Sequence, residues 1–149
     1  MNTSAADRKF AHEACIGGME EVQLGQIAVK NAKNDKVKEF GRRMIDDHTK
    51  AGDKLKEIAS KNNIDLPTEV DAKGKALIDR MSRMSGAAFD KAYMRDMVKD
   101  HESDVAAFQK EADSGMNPDL KSFAGQTLPT LQDHLRMAKE DNNAVMSMK

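Results

Sequence analysis

The chain has 149 residues, with three Pro, no Trp, 4% aromatic and 33% charged residues; it fits one domain, 1–149, whose composition favours long helices over sheet. Lys and Arg number 24 against 25 for Asp and Glu. The two signs are interleaved, so there is no electrostatic case for nucleic acid or an anionic membrane surface. No apolar run approaches the roughly 20 residues of a membrane span.

Ser4-Ala-Ala-Asp7 reads as a capping box with Asp in place of the usual Glu. The residues before it lack the charged and apolar parts of a signal peptide; so abrupt a start would also suit a chain whose targeting segment was replaced by Met1. The first helix is expected to run to about Ala32, with Phe10, Ala14, Gly17, Glu21, Leu24, Ala28 and Ala32 on one face, so a carboxylate interrupts a stripe of apolar and small residues. Gly17-Gly18 costs on the order of 1 kcal/mol per residue relative to Ala, which close approach of a neighbouring helix would explain. The single Cys15 cannot form an internal disulfide, leaves the compartment open and reads as a small buried apolar residue.

Asn34-Asp35 makes a short turn into an antiparallel second helix, about Lys36 to Lys61, with Val37, Gly41, Met44, His48, Ala51, Leu55 and Ile58 on its inner face. Asn62-Asn63 stops it, and Pro67 keeps Leu66 extended. Thr68-Glu-Val-Asp71 resembles another capping box, opening a short crossover helix with Val70, Leu77, Met81 and Met84 that ends near Ser85-Gly86. The third long helix, about Ala87 to Asp113, carries Met94, Met97, His101, Val105, Phe108 and Ala112. Pro118 opens the fourth, which runs to about Asn142 with Leu120, Ala124, Thr127, Leu131, His134 and Ala138 inward. Pro129 is expected to kink it, with a fresh start capped by Thr127. The tail from Ala144 to Lys149 is expected to fray.

The predicted architecture is therefore all-α: an antiparallel four-helix bundle with an extra short helix between helices two and three. Each long helix spans about 40 Å and carries its one polar intruder near mid-length, so Glu21, His48, His101 and His134 are expected to meet at the equator. Three imidazoles and one carboxylate suit one divalent metal ion per chain, Zn²⁺ first and iron next, with Mn²⁺ or Cu²⁺ compatible. The set is too poor in carboxylate for the usual two-metal bundle site. Three of the four histidines follow an aspartate. On a helix Asp47, Asp100 and Asp133 point about 100° away from the histidines they precede, so each is expected to turn to a neighbouring helix and accept the free N–H of its histidine. Without metal, Glu21 needs a raised pKa or a buried partner, for which Arg42 or Arg43 could serve. Glu20 is the reserve if the first helix is rotated, His12 is a surface or boundary residue, and Met44 and Met97 are packing.

Gly-Gly-Met-Glu-Glu21-Val-Gln-Leu-Gly25, Val37 through His48, Phe89-Asp-Lys-Ala-Tyr93, Met97-Val-Lys-Asp-His101 and Leu128-Pro-Thr-Leu-Gln-Asp-His134-Leu together resemble the bacterial domain of unknown function 4142 over nearly the whole chain. The resemblance implies a ferritin-like fold and a place in the periplasm or cell envelope, and its pattern matches at Glu21, His48, His101 and His134. It assigns no activity.

Three functions follow as expectations. The first is a metal-binding bundle serving metal handling or envelope stress. The second is a metal-dependent enzyme reacting with oxygen or peroxide, with Tyr93 near the centre. The third is a metal-free structural or pH-responsive module. Homo-oligomerisation stays open. With no nucleotide loop, no paired nucleophile and no HExxH, hydrolase and kinase chemistry has no support.

Overall fold

The computed structural model describes residues 3–148. These form five helices and no strand: α1 (Ala5–Asn31), α2 (Asp35–Lys61), α3 (Ala72–Ser82), α4 (Gly86–Ser114) and α5 (Pro118–Met146). Ser4 and Asp7 close the expected capping box, and Asn34 and Asn117 cap α2 and α5 through their side chains. Asn63, at φ 54°, ends the turn after α2 in the left-handed conformation that Asn tolerates.

The long helices form a ring in the order α1, α2, α5, α4. Residue pairs across each seam run in opposite directions: Phe10 meets Phe108 and Glu21 meets His101 between α1 and α4, while Asp47 meets His134 and Asn62 meets Asp119 between α2 and α5. Diagonal helices run parallel, as Phe40–Tyr93 and His48–His101 show for α2 and α4. Joining those two needs a connection that returns along the bundle. That connection carries α3, which lies against α1 and α4.

Each hairpin clamps the turn of the other. Asp7, at the start of α1, accepts from the N–H groups of Met116 and Asn117 at 3.1 and 2.9 Å. Asp90, at the start of α4, accepts from Lys33 and Asn34 at 3.0 and 2.9 Å. Both carboxylates are buried, and the turns they hold would otherwise carry unsatisfied donors. Hydrogen bonds from these N–H groups, from Ser4 and from the Glu111 carboxyl outweigh burial and bring the Asp7 pKa down to about 2.

Several local expectations change. Gly17 and Gly18 have open space where a side chain would sit, so they serve no close helix approach. That approach lies at Gly25 and Gly41, where a Cβ on Gly25 would come within 2.7 Å of the Gly41 carbonyl oxygen. The short helix is capped by Asp71, which accepts from the Gly74 N–H, rather than by Thr68, and it ends at Ser82. α5 passes through Pro129 as one helix, with no fresh start at Thr127. It also outlasts the expected end at Asn142, because Val145 is buried in the core; of the expected tail, Lys149 lies outside the described residues.

The apolar interior is divided. One cluster gathers Phe10, Leu55, Ile58, Phe108, Phe123 and Leu131; the other gathers Leu24, Phe40, Met44, Phe89, Tyr93 and Met97. On all four long helices, the residue at the boundary between these clusters is polar.

Candidate metal centre

That boundary layer is made by Glu21 of α1, His48 of α2, His101 of α4 and His134 of α5, all buried. The imidazole ring centres are 6.0 Å apart for His48 and His101, and 5.4 Å for each of the other two pairs. One potential ligand atom from each histidine lies within 4.8 Å of the other two. Glu21 joins at the edge, its Oε2 3.8 Å from His101 Nε2, beyond hydrogen-bond distance.

Two of the rings are oriented by the bond at their other nitrogen. His101 Nδ1 lies 2.8 Å from the carbonyl oxygen of Met97, and since a carbonyl only accepts, Nδ1 carries the proton and Nε2 is a bare lone pair. His134 Nε2 lies 2.7 Å from Asp47 Oδ2, which puts the proton on Nε2 and leaves Nδ1 bare. These two nitrogens, His48 Nε2 and Glu21 Oε2 are all buried with no hydrogen-bond partner. Buried polar atoms in folded proteins are nearly always paired with protein or ordered water, and of these four, each from a different helix, the three histidine atoms lie close enough together that one ion could satisfy them.

The electrostatics keep the imidazoles neutral. Burial, reinforced by the other two rings, lowers His48 to about 3. Burial lowers His101 to about 4 despite its bond to Met97, and burial lowers His134 although Asp47 pulls the other way. A neutral ring is the form that binds metal. Burial, with Asp104, Asp100, Glu20 and Asp96 on its far side, pushes Glu21 well above the usual carboxylate range. Neither Arg42 nor Arg43 pairs with it: Arg42 bonds Glu39 and Arg43 bonds Asp47 and Asp133.

The three aspartates diverge. Asp47 takes the expected position on a neighbouring helix's histidine. Asp133 does not reach one; it pairs with Arg43 at 3.2 Å and Arg136 at 2.6 Å. Asp100 bonds no histidine among the described residues and instead faces Asp96 in the seam between α1 and α4. Glu20 occupies the same seam rather than the interior. His12 is exposed, while Met44 and Met97 are fully buried packing residues. Tyr93 is buried with its hydroxyl unpartnered, stacked on Phe89 and edge-on to Phe40.

Missed by the sequence reading was the cluster Asp96, Asp100 and Asp104, spaced by four along α4. That interval puts all three on one helix face and was the available signal.

The fold is similar to that in the crystal structure of a DUF305 fragment from Deinococcus radiodurans, at a TM-score of 0.83 and 10% identity, covering 97% of this chain and 99% of that one. No curated protein matches the chain. No helix among the described residues is long and apolar enough to cross a membrane. The model of a domain of unknown function, DUF4142, matches residues 1–140, and the chain belongs to that family.

Proposed function

We propose that the equatorial layer binds one divalent transition-metal ion through His48, His101 and His134, with Glu21 as the carboxylate beside them, in a bundle of ferritin-like architecture. The observation that carries this is the set of four buried, unpartnered donor atoms, one from each long helix. The donors fit the group: neutral imidazoles held by Met97 and Asp47 at the far nitrogen suit Zn²⁺ first and Fe²⁺ next. Bound metal would supply a Lewis-acidic cation in a buried layer, and Glu21 would then be held as the anion. The protein is read as a metal-handling component of the bacterial envelope; its place there rests on the family resemblance.

Metal analysis of protein purified without an affinity tag is expected to find about one equivalent per chain. His101→Ala should abolish it, and a chelator should lower the melting temperature of the parent chain but not of the variant. A chain that carries no metal, takes up neither Zn²⁺ nor Fe²⁺, and melts at the same temperature with or without chelator overturns the reading.

A further inference from the structure

On the outer side of Glu21, between α1, α3 and α4, lies a cavity of about 620 Å³. Glu20, Glu21, Asp71, Asp96, Asp100 and Asp104 line it. None of Glu20, Asp96, Asp100 and Asp104 forms an ion pair with Lys or Arg among the described residues, although Lys73, Arg80 and Lys99 also line the cavity. Like charges four apart on a helix repel, so this stripe costs stability that the fold alone does not explain.

Glu21 adds an independent observation. It is 2% exposed, its Oε2 has no partner, and it belongs both to the cavity wall and to the histidine layer, 3.8 Å from His101 Nε2. The remaining carboxylates do not close on one point: among the described residues the histidines alone form a group of three possible ligand atoms within 4.8 Å of one another. The wall is built to attract cations without fixing one, and it leads to donors that would.

We propose that this cavity is the entrance through which divalent cations reach the equatorial centre, with Glu21 passing them from the acidic wall to His101. The proposal rests on the metal-centre reading. The wall carries six carboxyl groups against three cationic side chains, and such an excess of one sign in a cleft concentrates counter-ions and raises their association rate by roughly a factor of 10 to 10³ at most, an effect that salt screens. A rival path exists on the other side, where a groove between α1 and α2 reaches His48 past Gly18 and Gly52. A Cβ on either glycine would meet nothing within 4 Å.

The test is stopped-flow loading of the metal-free chain with Co²⁺, followed by its visible absorption, in alkaline buffer at low and high salt. For the double variant Asp100→Asn/Asp104→Asn we expect association about 10-fold slower at low salt and a flattened salt dependence, with the parent stoichiometry kept. Asp53→Asn, in the rival groove, should load at the parent rate. Parent-like rates in the double variant, or slowing by Gly52→Leu with none in the double variant, overturn the entrance while leaving the centre standing. A parent chain that takes up no Co²⁺ removes the centre, and the entrance with it.

Discussion

The seam between α1 and α4 and the seam between α2 and α5 obey one geometric rule and reach opposite chemistry. On every long helix an acidic residue precedes the inward one: Glu20, Asp47, Asp100 and Asp133. A step back of one residue turns about 100° around the axis, and antiparallel neighbours turn toward each other. Glu20 and Asp100 therefore face a common seam, as do Asp47 and Asp133. Between α2 and α5, Arg43 donates to both carboxylates and His134 to one of them, so the seam is closed and fixes a ring. Between α1 and α4, among the described residues, no Lys or Arg pairs with Glu20 or Asp100, and the seam opens into the acidic cavity. One side fixes the His134 ring through its bond to Asp47, and the other is the way in that we propose for a cation.

The largest expected effect comes from breaking the closed seam at Asp47. Asp47→Ala removes the acceptor for His134 Nε2–H and leaves that ring free to take the other tautomer, with the proton on the nitrogen that should face metal. Losing such an outer partner typically costs 10- to 100-fold in metal affinity, roughly 1.4–2.7 kcal/mol. Competition against a chromophoric chelator reads this directly, and an affinity within about twofold of the parent would show that Asp47 does not orient the site.

Arg43→Met sharpens the comparison by making the α2–α5 seam resemble its counterpart. Arg43 is about half-exposed, so its two ion pairs contribute at most about 1 kcal/mol, and less at high salt. Removing it leaves Asp47 facing Asp133 while the bond that His134 donates to Asp47 remains. The expected result is a small loss in urea stability that shrinks as salt is added, and a drop in metal affinity of about threefold, well short of that for Asp47→Ala. Equal losses in the two variants would mean that Arg43, rather than the carboxylate, holds the ring.

The height of the site was legible because helix length alone fixes it. Glu21, His48, His101 and His134 each stand near the middle of a long rod, and antiparallel rods with short turns bring their middles together. The direction of the aspartates was not legible, since it depends on which helices are neighbours in the ring and which way each runs. Asp47, Asp100 and Asp133 share one sequence pattern, yet only the first has a histidine within reach. Also hidden was the second duty of Asp7, legible as a capping residue but not as the clamp on Met116 and Asn117, because nothing in its own segment points 110 residues ahead. Gly17-Gly18 misled for a related reason: a glycine pair signals room, and only packing tells whether a helix or a cavity uses it.

A third test addresses the open seam in the metal-free chain. Burial, with Glu20 facing it, raises Asp104 to about 7 from an ordinary 3.8. A carboxyl whose folded pKa lies above its unfolded value holds its proton better when folded, so its contribution is fully present below about pH 3.8 and is lost as pH rises toward 7. Asp104→Asn removes that loss. With metal stripped, the variant should match the parent at the acid end of this window and exceed it progressively above as the seam ionises. Added divalent metal should narrow the gap, because a cation bound at Glu21 offsets the same repulsion. Urea titrations of both chains across the window decide it; a variant less stable than the parent at alkaline pH would mean that Asp104 is held by a favourable contact, and that the α1–α4 seam is closed after all.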